Sequence, residues 1–361
     1  MTEEIARVIA TAPVRVADVG GWTDTWFGSP GSVCNLAVGP GVTVEANLVA
    51  GPDGADELPV RVVAPTLGED YRIGPSPAQG WRWSTPRRQP LLEHAIASVL
   101  EEVSVPAGLS VDLEISSAVP AGASLGTSGS VVVAVLGALD ALFGRARPLA
   151  DLAVAAHAVE TVRAGRESGV ADQWAAAHGG CALLSVERYP EVRRQAVVLD
   201  PVVERAVGER LVTVVFGSHD SSAVHAEVIE MMGGAAPVRD RARAGLGQLA
   251  ALAGDAAAAL RGGSVDTWAE VLTAASDAQR ALYPDLVGPA HCAAIEVARA
   301  HGATGWKVNG AGGRGGSLSM VAADRDSAGR LGAALGLVDR SWHVVDLTPA
   351  PGLDVVTVRS W

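Results

Sequence analysis

Pro120-Ala-Gly-Ala-Ser-Leu-Gly-Thr-Ser-Gly-Ser130 is the stretch on which the reading of this sequence turns. Before it, Leu109, Val111, Leu113 and Ile115 alternate with polar or small residues, the pattern of a half-buried strand. After it, a helix is expected to run to about Phe143. A glycine-rich turn between strand and helix lets the backbone approach a ligand closely. The helix start then offers unpaired N–H groups and the positive end of its dipole to an anion. Thr127, Ser128 and Ser130 add hydroxyls that suit phosphate oxygens or Mg²⁺. The stretch is neither a G-x-x-x-x-G-K-S/T loop nor a G-x-G-x-x-G turn. An ordinary tight turn with a serine cap fits the same residues, so the neighbouring segments must decide.

Working toward the N-terminus, residues 5–20 are β-branched and alternating, and read as strand, turn, strand. Residues 33–38 and 42–49 read as two strands split by a Gly39-Pro40-Gly41 turn. Short strands are expected at 58–64 and 71–73, a surface loop at 74–90 and a helix at 91–102. Working toward the C-terminus, residues 149–164 read as a helix with Glu160 near its end, and 181–199 as a hairpin. A strand at 211–216 precedes an alanine-rich helical region, 223–300, and the chain closes as strand, glycine loop, strand, helix, strand. The composition change sets a domain boundary near residue 205, giving parts 1–205 and 206–361.

With 361 residues, 48% hydrophobic and 19% charged, the chain can bury a substantial core, and its length favours two domains over one. A net charge of −12 argues against a nucleic-acid or anionic membrane surface. Cys34, Cys181 and Cys292 lie far apart with no metal-ligand spacing, which reads as reduced thiols. No signal peptide or membrane span is recognised, so a cytoplasmic protein is expected, a monomer or homodimer. Of its 28 basic residues only Lys307 is a lysine. Either chance left it there or a compact ammonium is needed where a guanidinium fork does not fit.

The glycine-rich stretch closely resembles the second motif of the GHMP kinase superfamily, Pro-x-Gly-x-Gly-Leu-Gly-Ser-Ser-Ala-Ser, departing at Ser124, Thr127 and Gly129 by small residues. Ala12-Pro-Val-Arg-Val-Ala-Asp-Val-Gly-Gly-Trp-Thr-Asp24 resembles the first motif, Ala-Pro-Gly-Arg-Val-Asn-Leu/Phe-x-Gly-x-x-Thr-Asp, of the sugar kinases in that superfamily. Its Gly-Gly-Trp-Thr-Asp form is more similar to the heptose 7-phosphate and fucose kinase branch than to galactokinases, which usually have Gly-Glu-His-Thr-Asp. Ser168-Gly-Val-Ala-Asp-Gln-Trp174, following Glu160, resembles the Gly-x-x-Asp-Gln/Asn element. Lys307-Val-Asn-Gly-Ala-Gly-Gly-Arg-Gly-Gly316 resembles the third motif, Lys-x-Ser/Thr-Gly-Ala-Gly-Gly-Gly-Gly, with Asn309 and Arg314 as departures. The motifs stand in the family's order and reach from Ala12 to Gly316.

The resemblance implies a mixed α/β fold of two domains, the first like ribosomal protein S5 and the second ferredoxin-like, with ATP between them. It implies an ATP- and Mg²⁺-dependent kinase acting on a hydroxyl of a sugar or sugar-like metabolite. Pro120, Gly122, Ser124, Gly126, Thr127, Ser128, Gly129 and Ser130 would bind ATP, and Ser128 with Glu160 would hold Mg²⁺. Asp172 would sit beside the acceptor hydroxyl, oriented by Arg15. Gly21, Trp22, Thr23, Asp24, Gly312 and Gly313 would border the acceptor, and His219, Asp220 and Ser221 are weaker contact candidates. Each of these also has a plain reading: a turn cap for Asp24, a solvated position for Glu160, a helix cap for Asp172. Trp22, Trp26 and Trp174 lie near motifs and suit either core or sugar stacking, and Arg87 with Arg88 suits either a phosphate on the acceptor or solvent. Homoserine- or mevalonate-like alcohols are alternative acceptors, and a silent sugar or ATP sensor on the same fold would show a damaged loop or a lost carboxylate.

Overall fold

The computed structural model describes residues 4–51, 58–76, 80–83, 88–217 and 221–359. The chain opens with β1 (Glu4–Val19), β2 (Gly31–Ala50), β3 (Val60–Ala64), β4 (Glu69–Ser76) and β5 (Gly80–Arg82), followed by α1 (Pro90–Leu100) and β6 (Leu109–Ser117). Next come α2 (Thr127–Leu142), α3 (Leu149–Ala158), α4 (Ala171–His178), β7 (Cys181–Val186), β8 (Arg193–Val197), α5 (Pro201–Arg210) and β9 (Leu211–Gly217). The helices α6 (Ser221–Gly233), α7 (Ala236–Arg261), α8 (Val265–Leu282) and α9 (Pro289–Ala300) form the alanine-rich region. The chain ends with β10 (Ala303–Val308), β11 (Gly316–Ala322), α10 (Arg325–Val338), β12 (His343–Val345), β13 (Thr348–Pro349) and β14 (Asp354–Arg359). The mixed α/β expectation holds. Among the described residues no helix is long and apolar enough to cross a membrane.

Among the described residues ten strands form one sheet along the path β14-β1-β2-β6-β3-β4-β5, with β7, β8 and β13 joining through β2. A second sheet has the order β10-β11-β9-β12. Two expected turns do not exist: β1 and β2 are each continuous, paired antiparallel almost end to end. Pro13 and the Gly39-Pro40-Gly41 run do not break the pair, because a register shift between Ala12 and Val14 absorbs the irregularity as a bulge. The bulge has a second effect. Ala6, Val8, Ala10 and Ala12 pack in one core with α1 and α2, whereas Val14, Val16 and Val19 pack in another with α7 and α8. Even-numbered residues before and after the bulge thus pack in different cores. Arg15 is thereby turned toward the start of α2.

Contacts cross the expected boundary near residue 205. The second core joins β1 and β2 residues to α5, α7 and α8, and β13 and β14 return to the large sheet. There β14 covers the edge that β1 would otherwise expose.

Candidate active site

Arg15 is 6% exposed and sits at the centre of the site. Its Nε donates to Asp172 Oδ1 at 2.8 Å, its Nη1 donates to the Ser124 carbonyl, and Nη1 lies 3.8 Å from Asp18. Its backbone N–H donates to Leu125 O at 2.9 Å, so the strand is pinned to the glycine-rich turn at two points. Burial alone would lower the pKa of this guanidinium, but the charges of Asp172 and Asp18 outweigh it and hold the pKa raised. Asp172 lies in the first turn of α4. Asp18 accepts the Gly310 N–H with both oxygens, at 3.0 Å each, which ties the third motif to the first.

The turn before α2 takes left-handed angles at Gly122, Ser124 and Gly126 (φ 73°, 59° and 72°). At Gly126 a Cβ would lie 3.1 Å from both Arg15 Cγ and Asp172 Cγ, so glycine is required for space as well as conformation. Helix α2 has no side-chain cap at its start. Its first N–H groups have no partner within the helix. Ser128 lies beside Glu160, which stands on a single π turn, Val159–Arg163, continuing α3. Glu160 is 5% exposed and accepts from Gln173 Nε2 at 2.6 Å and from Ser168 Oγ at 3.4 Å. Burial, and then the charge of Asp172, raise its pKa. The hydrogen bonds it accepts come from neutral groups, which suits a carboxylate that also meets a cation.

Asp24 is 5% exposed and accepts the Ala171 N–H at 2.9 Å. Burial pushes its pKa up to about 6, and the charge of Asp172 adds to the rise. Gly169 runs so close that a Cβ there would fall 2.2 Å from Asp24 Oδ2. Arg15, Asp18, Asp24, Glu160 and Asp172 all face one cavity of about 420 Å³.

Most of the residues expected from the sequence meet in this cavity: Gly21, Trp22, Gly122, Ser124, Gly126, Thr127 and Ser128 line it beside the charged groups. Several do not. Pro120 is exposed outside it, and Gly129 packs beneath Asp172, with 3.0 Å between its ideal Cβ and that of Asp172. Ser130 turns its hydroxyl into the core, donating to Pro13 O at 2.6 Å. Thr23 is a pin: its hydroxyl donates to Gly20 O and Ser32 O and accepts from Ser32 N. Gly312 and Gly313 press against Leu286 and Gly288, and the third motif reaches the cavity through Gly310 and Ala311 instead. Arg314 is exposed, Arg88 pairs with Glu69, and Trp22 and Trp174 are buried while Trp26 lies exposed beside Glu167. His219, Asp220 and Arg87 lie outside the described residues, as does the Ser221 side chain. Sequence reasoning did not single out Asp18, Arg166, Glu167, Ser168, Gly169, Gln173 or His225 as site residues. Ser168, Gly169 and Gln173 lie inside the Gly-x-x-Asp-Gln/Asn element and Asp18 inside the first motif, at a position where that motif has Leu or Phe, whereas Arg166, Glu167 and His225 carry no signal beyond their type.

With this geometry established, the relatives become informative. Residues 90–180 match the GHMP kinases N terminal domain. That span holds the glycine-rich turn, Glu160 and Asp172. A mevalonate kinase of Pyrococcus abyssi is 39% identical over 89 residues, 25% of this chain and 26% of that protein. The match thus spans about a quarter of the length of that curated relative. The fold match is global. A D-glycero-D-manno-heptose 1-phosphate kinase from Bacteriodes thetaiotaomicron aligns over 98% of this chain and 100% of its own, with a TM-score of 0.73 and 18% identity. The Lactococcus lactis galactokinase complexed with galactose aligns over 96% of this chain and 95% of its own, with a TM-score of 0.73 and 17% identity. The chain therefore has the GHMP kinase fold.

Proposed function

We propose that this chain is an ATP- and Mg²⁺-dependent kinase that transfers the γ-phosphoryl group of ATP to a hydroxyl of a sugar or sugar-like metabolite. The observation that carries the reading is the Arg15–Asp172 pair, 2.8 Å apart, facing the same cavity as the left-handed glycine turn, the uncapped start of α2 and buried Asp24. Phosphoryl transfer has a loose transition state, so catalysis is chiefly positioning and charge stabilisation. The turn and the first N–H groups of α2 would take the ATP phosphates. Ser128 and Glu160 would hold Mg²⁺, a pair of oxygen ligands being enough for an ion that keeps waters and phosphate oxygens. When bound, the ion supplies charge neutralisation between the β- and γ-phosphates.

Asp24 would accept acceptor hydroxyls. Arg15 occupies Asp172 Oδ1, which leaves Oδ2 to meet the reacting hydroxyl. As the acceptor oxygen bonds to the γ-phosphorus, the bond to the β-phosphate oxygen of ADP breaks and the hydroxyl proton passes to Asp172. The Gly-Gly-Trp-Thr-Asp segment and two fold neighbours, a heptose 1-phosphate kinase and a galactokinase, support a sugar. The local identity to mevalonate kinases supports a smaller alcohol as the second reading. A silent sensor is disfavoured by the intact turn, Glu160 and Asp172.

ADP formation from Mg-ATP should be measured against free sugars, sugar phosphates, cyclitols, homoserine and mevalonate. One sugar should be turned over, and Asp172→Asn should reduce kcat by roughly 10²-fold or more. Near-normal turnover in that variant would sink the role given to Asp172, and turnover of mevalonate or homoserine alone would replace the sugar.

A further inference from the structure

Behind the cavity wall lies Lys307 on β10, the chain's only lysine and 2% exposed. Its ammonium donates to Gln279 Oε1 at 2.9 Å and to the Val308 carbonyl. Gln279, on α8 and 1% exposed, passes the contact on, its Nε2 donating to Gly310 O at 3.2 Å. Gly310 is thereby clamped on both sides, because its N–H donates to both oxygens of Asp18. It also abuts the site: a Cβ there would lie 3.1 Å from Ser124 Cβ and 3.3 Å from Arg15 Nη2.

We infer that Gln279 is a positioning residue for phosphoryl transfer, its amide fixing Gly310 and, through Asp18, the Arg15–Asp172 pair. The inference rests on the kinase reading above. A carboxamide is the side chain for the task, since it offers an acceptor to the ammonium and a donor to the carbonyl on one rigid plane. The lysine also settles which way that amide faces: Oε1 must meet the ammonium, so Nε2 must meet Gly310. An arginine at 307 would bring a broad fork where a single point donor is needed.

The test separates the two ends of the amide in the full chain. Gln279→Glu keeps an acceptor for Lys307 and removes the donor to Gly310, whereas Gln279→Met removes both. Melting temperature, kcat, and KM for Mg-ATP and acceptor should be measured for each. Gln279→Glu is expected to melt within about 3 °C of wild type. Its kcat should fall about tenfold or more with both KM values within about threefold, the mark of lost positioning rather than lost binding. Gln279→Met should lose both stability and kcat. A Gln279→Glu protein with kcat within about twofold of wild type would overturn the inference, as would one that melts far lower, since the role would then be structural. If wild type forms no ADP with any acceptor, the kinase reading fails and this inference falls with it; wild-type turnover with an unaffected Gln279→Glu sinks the inference alone.

Discussion

Gly169→Ala asks whether Asp24 holds the acceptor. Gly169 is not among the residues with positive φ, so alanine there adds bulk without backbone strain. The added Cβ would lie 2.2 Å from Asp24 Oδ2, 2.6 Å from Cγ and 2.7 Å from Oδ1, whereas ordinary contact begins near 3.4 Å. The carboxylate must retreat by roughly 1 Å, the shift that restores a non-bonded separation. That retreat stretches the 2.9 Å bond from Ala171 N beyond hydrogen-bond range. A bond to a charged group contributes roughly 1.5–3 kcal/mol. A group misplaced by about 1 Å costs on the order of 10²-fold in rate. The expected result is a fall of about 100-fold in kcat/KM for the acceptor. Nucleotide affinity should hold within about twofold, because the turn at 122–128 is untouched. Coupled ADP assays at varied acceptor, with calorimetric titration of the nucleotide, read the two separately. Wild-type kcat/KM for the acceptor in this variant would refute the assignment of Asp24, and an equal loss of nucleotide binding would mean the whole cavity had moved.

The pH dependence of Asp24 follows from the direction of its shift. Burial raises its pKa from 3.8 to about 6, so the folded chain binds this proton more tightly than the unfolded one. Its contribution to stability is full below about 3.8 and is lost as the pH climbs to about 6; Asp24→Asn should flatten that part of a melting-temperature profile. Acceptor kcat/KM should in turn decline as the pH drops through about 6, since only the carboxylate accepts hydroxyls with both oxygens, and a profile flat down to pH 5 would contradict this. Ser130→Ala should destabilise the fold by roughly 1–2 kcal/mol through the lost bond to Pro13 O, with KM for ATP unchanged. A raised KM for ATP at wild-type stability would return Ser130 to the nucleotide.

The contrast between Ser128 and Ser130 shows what a sequence conveys about such a site. Glycine spacing announces a turn before a helix because few residues tolerate left-handed angles, and Gly122 and Gly126 behave as their type demands. A hydroxyl carries no such signature. Ser128 reaches Glu160, whereas Ser130, two residues further round the same helix, closes a buried bond to Pro13. Thr23, which the resemblance places at the acceptor, directs its hydroxyl at Gly20 O and Ser32 O. The opposite error hid Asp18 and Gln279. Asp18 stands inside the first motif but where that motif has Leu or Phe, and Gln279 stands in no motif; their partners lie far along the chain, Gly310 for both and Lys307 for Gln279. The Gly39-Pro40-Gly41 run shows the corresponding limit for the fold. It is a turn by local chemistry, yet it lies inside β2, because pairing along β1 on either side outweighs the local preference.

Two departures from the resembled motifs explain one another. The first motif has Asn where this chain has Ala17, and the third has Ser/Thr where it has Asn309. The positions touch: Ala17 N–H donates to Asn309 Oδ1 at 3.0 Å, and Asn309 Nδ2 donates to Ser317 Oγ and Ser319 Oγ at 3.1 and 2.9 Å. Here the carboxamide stands on the facing segment and reaches back to the strand. Ala17 still adopts φ 53°, a conformation in which alanine is strained by about 1–2 kcal/mol and asparagine less so. That strain has a use. In a regular strand Arg15 and Asp18, an odd and an even residue, would point to opposite faces. The left-handed step at Ala17, within the register shift between Val16 and Val19, brings Asp18 round to lie 3.8 Å from Arg15. Asp18 can then hold Gly310 while Arg15 holds Asp172, which couples the third motif to the reacting carboxylate. The buried bond from Asn309 keeps the strained residue in place, so the exchange between positions 17 and 309 preserves the geometry although neither residue matches its motif.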